Sequence, residues 1–197
     1  MFFAGGSVLP FPVLLLLILF LVVTACSDPE EYARFEATTL VELPQCVGEP
    51  FPMEFTLLSA RQRIGTVGIF LETPPDLKSR HDLVYLELYN PEEVQLGEDI
   101  LLSPSSSVAR GKLTFFSSCP YENQSYQLEG VLRFSSFDYQ ENLGMITGEL
   151  LDGRAIDSHS GEVVFDDLHG SWRFALRRGP PYQEFFALPE RPSPGDP

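Results

Sequence analysis

Through the middle of the chain, large apolar side chains recur at every second position. Val84, Leu86 and Leu88 alternate with Tyr85, Glu87 and Tyr89; Val67, Ile69 and Leu71 alternate with Gly68 and Phe70; Phe55 and Leu57 alternate with Glu54, Thr56 and Leu58. Successive side chains of a strand point to opposite faces, so this pattern predicts strands with one face turned inward. In the last two sets the second face is also fairly apolar, which predicts strands covered on both sides. Turn-forming clusters separate the runs: Pro74-Pro75-Asp76, Asn90-Pro91-Glu92-Glu93, Ser103-Pro104-Ser105-Ser106-Ser107, Cys119-Pro120 and Asp152-Gly153. No stretch of helix length carries a 3.6-residue apolar stripe, and a short helical turn around Pro91 to Gln95 is the most that is expected.

A weak internal repeat supports the same reading. Gly111-Lys112-Leu113-Thr114-Phe115, Gly130-Val131-Leu132-Arg133-Phe134, Gly148-Glu149-Leu150-Leu151-Asp152 and Gly170-Ser171-Trp172-Arg173-Phe174 each place a glycine before large apolar residues at even offsets, the third departing at its last position. On a strand these offsets share one face, so each glycine lies beside bulky inward neighbours. Such a glycine relieves crowding where a sheet coils or a barrel closes; the alternative is a glycine left open for a ligand to approach the backbone. The expected fold is all-β, a mostly antiparallel sandwich or small barrel of roughly eight to ten strands. The expected divisions are a signal segment over 1–25, an acidic, flexible tether over 26–38, the β-domain over 39–179 and a proline-rich tail over 180–197, where six prolines fall in 18 residues.

The N-terminus carries an address. Val13 to Val23 reads VLLLLILFLVV, an unbroken apolar run, and Thr24, Ala25 and Cys26 follow it. This is the pattern of a signal-peptide apolar region with a small-residue exit. Val23-Thr24-Ala25-Cys26 resembles the lipobox of bacterial lipoproteins. That resemblance covers only the first 26 residues, and implies that Cys26 is lipidated and becomes the mature N-terminus. It also implies attachment to a membrane of the cell envelope, with Ser27 after the lipidated position favouring the outer over the inner membrane. An uncleaved anchor is the rival, but Leu9 to Ala25 is 17 residues, and a spanning helix wants about 20. With Cys26 lipidated, the three cysteines reduce to the pair Cys46 and Cys119, which in an oxidising compartment would form one disulfide.

Composition narrows the function. The chain carries 28 Asp and Glu against 13 Lys and Arg, a net charge of −15, with every charge beyond the apolar block. Nucleic acid is excluded as a partner, because phosphate binding needs a basic surface, and electrostatic docking on anionic lipid is disfavoured. Hydrolase and nucleotide motifs are absent, so no catalytic residue, metal ligand or cofactor is assigned. His81, His159 and His169 stand far apart, each with an acidic neighbour within two residues, and are expected to be solvated at turns or strand ends. Asp157-Ser158-His159-Ser160 holds the residue types of a catalytic triad, but a triad needs them to converge from separate backbone positions, so a polar hairpin ending in Gly161 is expected. Asp138, Glu141, Asn142 and Gly144 offer oxygen ligands without the spacing of a calcium loop, and Asp166-Asp167 is a second acidic pair; solvated loops are expected. Tyr85, Tyr89, Phe116, Phe137 and Tyr139 fall opposite the core registers. Exposed, they would suit an envelope protein or a carbohydrate; burial under a second sheet accounts for them without a partner and is favoured. The leading expectation is a lipid-anchored, non-enzymatic envelope protein with a binding or structural β-domain. Its rivals are a barrel carrying a small apolar ligand and a carboxylate-dependent hydrolase.

Overall fold

The computed structural model describes residues 31–41, 50–76, 80–117, 124–140 and 143–176. Ten strands follow one another: β1 (Tyr32–Thr39), β2 (Met53–Phe55), β3 (Leu57–Arg63), β4 (Thr66–Glu72), β5 (Leu83–Tyr89), β6 (Asp99–Leu102), β7 (Ala109–Phe115), β8 (Gln124–Phe137), β9 (Met145–Asp157) and β10 (Val163–Ala175). The expected helical turn is present as a single 3-10 turn, Pro91–Glu93, where proline at the first position supplies a preset φ.

All ten strands belong to one sheet in the order β2-β1-β10-β9-β8-β6-β7-β5-β4-β3, with β8 also paired to β7. Its two edge strands, β2 and β3, are consecutive in sequence and separated only by Thr56. β2 pairs with β1, and β3 pairs with β4. The sheet therefore curls until its edges almost meet, and one short stretch of chain bridges them. The result is a nearly closed barrel, which removes most of the exposed edge that an open sheet would present. Every pairing is antiparallel except β6 with β7, which touch through Leu102 and Ala109 alone.

Thr56 also corrects the pattern read from the sequence. Phe55 is buried and Leu57 half-buried, but it is Leu58, not Leu57, that continues the core. The alternation slips by one residue as the strand leaves β1 for β4. A second correction concerns the acidic tether expected over 26–38. From Tyr32 on, that stretch is β1, with Ala33 and Phe35 buried and Tyr32, Arg34 and Glu36 facing out. The polar residues that suggested a tether are the outer face of a strand whose inner face has only two large or apolar anchors.

The inward positions form one continuous core, including Phe35, Leu86, Leu128, Phe134, Phe165 and Trp172. The glycine repeat lies on this inner face. A Cβ at Gly148 would stand 2.7 Å from the Trp172 ring and 2.9 Å from the Phe134 ring, and one at Gly170 would overlap the Phe35 ring. At Gly148 and Gly170 a neighbouring ring fills the space of the absent side chain, whereas at Gly111 leucine side chains do so. Sharp coiling of β8, β9 and β10 comes from register shifts at Glu129/Val131, Phe134/Ser136, Phe165/Leu168 and Leu168/Gly170. Asp152 and Asp167 sit at such bulges with φ of 47° and 51°, a left-handed conformation that aspartate tolerates better than most residues. The acidic pair Asp166-Asp167 is accordingly part of a bulge.

Candidate functional site: the outer wall and the rims

Among the described residues the inner face is lined by close-packed side chains. Leu86, Leu128, Phe134, Phe165 and Trp172 are wholly buried, and two sets of ring contacts fill the space between them. Phe35 stacks on Trp172 with centroids 6.1 Å apart, and Phe134 meets the same indole edge-on at 5.9 Å. Phe165 lies 5.6 Å from Phe115 and 5.4 Å from Tyr126. At Gly148 and Gly170 protein rings occupy the space that a side chain would take.

One stretch of outer wall crosses β6, β8, β9, β10 and β1. Cross-strand pairing aligns Asp99 with Arg133, Arg133 with Glu149, Glu149 with Ser171, and Ser171 with Arg34. Arg133 Nη2 donates to Asp99 Oδ1 at 2.6 Å, and its Nη1 reaches Glu149 Oε1 at 3.3 Å. Asp99 first, and Glu149 second, hold the guanidinium in its charged form. Two shallow hollows share Glu149. One, of about 270 Å3, includes Arg34, Glu36, His169 and Ser171; the other, of about 210 Å3, includes Tyr32, Arg133 and Thr147. Alternating donors and acceptors beside an exposed tyrosine suit a polar, hydroxyl-rich or peptide surface. Asp99 and Glu149 do come together, but around the Arg133 guanidinium, so both carboxylates face a cation between them.

At the rim between β9 and β10 a polar cleft of about 420 Å3 includes Lys112, Gln127, Asp157, Ser158 and His159. Here the expected polar hairpin is found. Asp157 Oδ1 accepts from the backbone N–H of His159 at 2.7 Å and of Ser160 at 3.0 Å. The Ser160 and His159 amides, in that order, hold its carboxyl below the ordinary value. Ser158 Oγ lies 3.4 Å from His159 Nδ1, and Asp157 Oδ1 lies 3.8 Å from the same nitrogen. A relay needs the hydroxyl and the carboxylate on opposite ring nitrogens. With both on Nδ1, and the imidazole almost fully exposed, the three residues form a turn and not a triad.

The other histidines remain apart from this cleft. His81 Nδ1 meets the Thr73 carbonyl oxygen at 2.8 Å, and His169 Nε2 meets Asp167 Oδ1 at 2.8 Å on the exterior. Asp138 serves the turn that joins β8 to β9: its amide donates to the Met145 carbonyl, and its carboxylate accepts from Ser136 Oγ at 3.2 Å. Glu141 and Asn142 lie outside the described residues. Among the described residues no group of three or more His, Cys, Asp or Glu is placed to hold a metal ion. Nor is any helix long and apolar enough to cross a membrane, the apolar run Val13 to Val23 lying outside the described residues. Cys26, Cys46 and Cys119 and the tail over 180–197 also lie outside them.

The outward aromatics are half-buried, though no second sheet covers them. Tyr85 lies over Gly68, whose missing side chain admits the ring, and packs against Phe70 at 4.9 Å. Burial, and then Glu87, push the Tyr85 phenol up to about 12. Tyr89 donates to Glu87 Oε2 at 2.8 Å and lies under the Arg110 guanidinium at 5.4 Å. Phe137 and Tyr139 continue the ring chain from Phe134.

Sequence reasoning passed over Asp82, which is wholly buried. Its Oδ1 accepts from the Phe116 amide at 2.8 Å and the Ser117 amide at 2.7 Å, while its own amide donates to Thr73 Oγ1 at 2.8 Å. A lone acidic residue immediately before an apolar strand was the available signal. Comparison with known proteins found no matching family model, no matching curated protein and no matching solved structure.

Proposed function

We propose that this chain is a lipid-anchored protein of the bacterial envelope, held by Cys26, whose barrel meets its partner on the outer wall. The observation that carries the anchor is the apolar run ending in Val23-Thr24-Ala25-Cys26. The filled interior supports an exterior role, because a carrier of apolar molecules needs a cavity of a few hundred Å3 where this barrel has packed rings. An envelope protein or a carbohydrate is the partner class that the row from Asp99 to Arg34 suits. Outer-membrane placement follows from Ser27, by the sorting pattern of similar lipoproteins.

A Cys46–Cys119 disulfide belongs to the same reading. Closing a loop of that length stabilises a fold by about 4 kcal/mol in the chain-entropy model.

The test is palmitate labelling with membrane fractionation of the native chain and of Cys26→Ser in a bacterial host. Label and membrane association are expected in the native protein and are expected to vanish together in the variant. A native protein that takes no label, with a variant that stays in the membrane, would establish a spanning anchor instead.

A further inference from the structure

One rim of the barrel carries several large exposed apolar side chains. In an up-and-down barrel alternate connections lie at the same end, so the chain direction assigns each loop to a rim. β1 starts, β10 ends, and the β3–β4, β5–β7 and β8–β9 connections all lie at one rim. Among the described residues, Tyr32, Ile64, Leu96, Val108 and Leu143 are large, apolar, exposed and at that rim. Ile64, at the tip of the β3–β4 hairpin, is fully exposed, and its neighbour Gly65 touches nothing within 4 Å of a would-be Cβ.

The same rim receives the N-terminal chain. Cys26 is five residues before Glu31, a reach of at most about 18 Å even when fully extended. The opposite rim is a strand away: the 13 residues of β10 span roughly 40 Å at the usual strand rise, before tilt. A barrel tied at Cys26 to a bilayer can therefore lay its tether-side rim against the surface, whereas inverting it would ask the tether for more length than it has.

We propose that the rim bearing Ile64, Leu96, Val108 and Leu143 docks on the lipid surface to which Cys26 is anchored. This rests on the anchor reading above. The chemistry is apolar insertion at the interface: the rim carries both Glu92, Glu93 and Glu98 in the β5–β7 connection and Arg61 and Arg63 beside Ile64, a mixed charge that suits a zwitterionic headgroup layer. The anchor and the rim then act as two membrane contacts, the usual requirement for stable attachment, and the docked rim fixes the barrel upright with the cleft at His159 facing away.

The test uses the full acylated protein in phosphatidylcholine vesicles with brominated acyl chains. Ile64→Trp, Leu96→Trp and His159→Trp each add a fluorophore at an exposed position, and the native chain, whose sole tryptophan is buried Trp172, gives the baseline. Quenching at positions 64 and 96 about twofold or more above that at position 159 is expected, from insertion of about 5–10 Å into the headgroup boundary. Equal quenching at all three positions, or none at any, in protein that carries the palmitate label would overturn the docking and leave the anchor standing. Protein without label would remove the anchor, and the docking with it.

Discussion

The two sides of the barrel are built by different means. On one side β3, β4, β5 and β7 run in unbroken register, and their inner row is aliphatic, with Val67, Ile69, Leu71, Val84, Leu86 and Leu88 almost wholly buried. On the other, β8, β9, β10 and β1 are interrupted by bulges, and glycines stand against Phe35, Phe134 and Trp172. Branched aliphatic side chains of similar size pack a regular ladder without adjustment. A coiled wall brings strands unevenly close, and pairs of nothing with a ring fit that unevenness better. The difference teaches that curvature here is concentrated in the long strands, while the short ones continue it passively.

The comparison can be broken most directly in the core. Trp172→Ala is expected to cost about 3–5 kcal/mol, and Leu86→Ala on the regular side about 2–4 kcal/mol, both as cavities in a packed interior; urea unfolding followed by circular dichroism reads both. Equal and small losses would show an interior looser than its burial implies.

Glycine replacement sharpens the contrast. Gly170→Ala forces a methyl into the Phe35 ring and is expected to cost about 2–3 kcal/mol by overpacking. Gly68→Ala on the regular side meets Tyr85 Cε2 at 2.9 Å, but that ring is half-exposed and can swing outward, so a loss below about 1 kcal/mol is expected. In Phe35→Leu the Gly170→Ala penalty should shrink, because the double-mutant cycle removes the clash that couples the two sites.

Tyr85 offers a pH reading of the same cover. Its folded value near 12 exceeds the ordinary 10.0, so the neutral phenol is favoured in the fold. Its contribution to stability is complete below pH 10 and is lost as pH rises through about 12. An ultraviolet phenolate titration of the native protein against Tyr85→Phe should lose its latest component. Smallest of all is Arg133→Ala: its partners on the outer wall are exposed, and solvent screens surface pairs of this kind, so thermal unfolding should barely move.

These two sides also differ in how much the sequence disclosed. Period-2 alternation located Val67 to Leu71 and Val84 to Leu88 correctly, because a regular strand keeps its phase. It failed at Thr56, where the strand changes partners, and it missed β1, whose inner face carries only Ala33 and Phe35. A barrel and a sandwich both bury every second residue, so the choice depended on a chain-long fact, the meeting of β2 and β3 with opposite edges of the sheet. The glycine repeat was legible as architecture because each glycine is followed at even offsets by large residues of the same inward face. The wall from Asp99 to Arg34 was not legible, since its members come from five strands and meet only through register. Asp82 was hidden for a similar reason: its acceptors' partners, the amides of Phe116 and Ser117, are 34 and 35 residues away.

The closing seam has a consequence in time. Neighbouring staves are adjacent in the chain or skip a single short strand, as β5 with β7 and β6 with β8 do, except β1 and β10, where residue 33 must find residue 172. Loop closure of that span adds little to the equilibrium cost, but distant pairings form slowly. A chain made from its N-terminus can zip one stave onto the next while β1 keeps an open edge, a ready template for strands of other molecules. The interval of greatest exposure ends only when the last strand, Val163–Ala175, has been delivered.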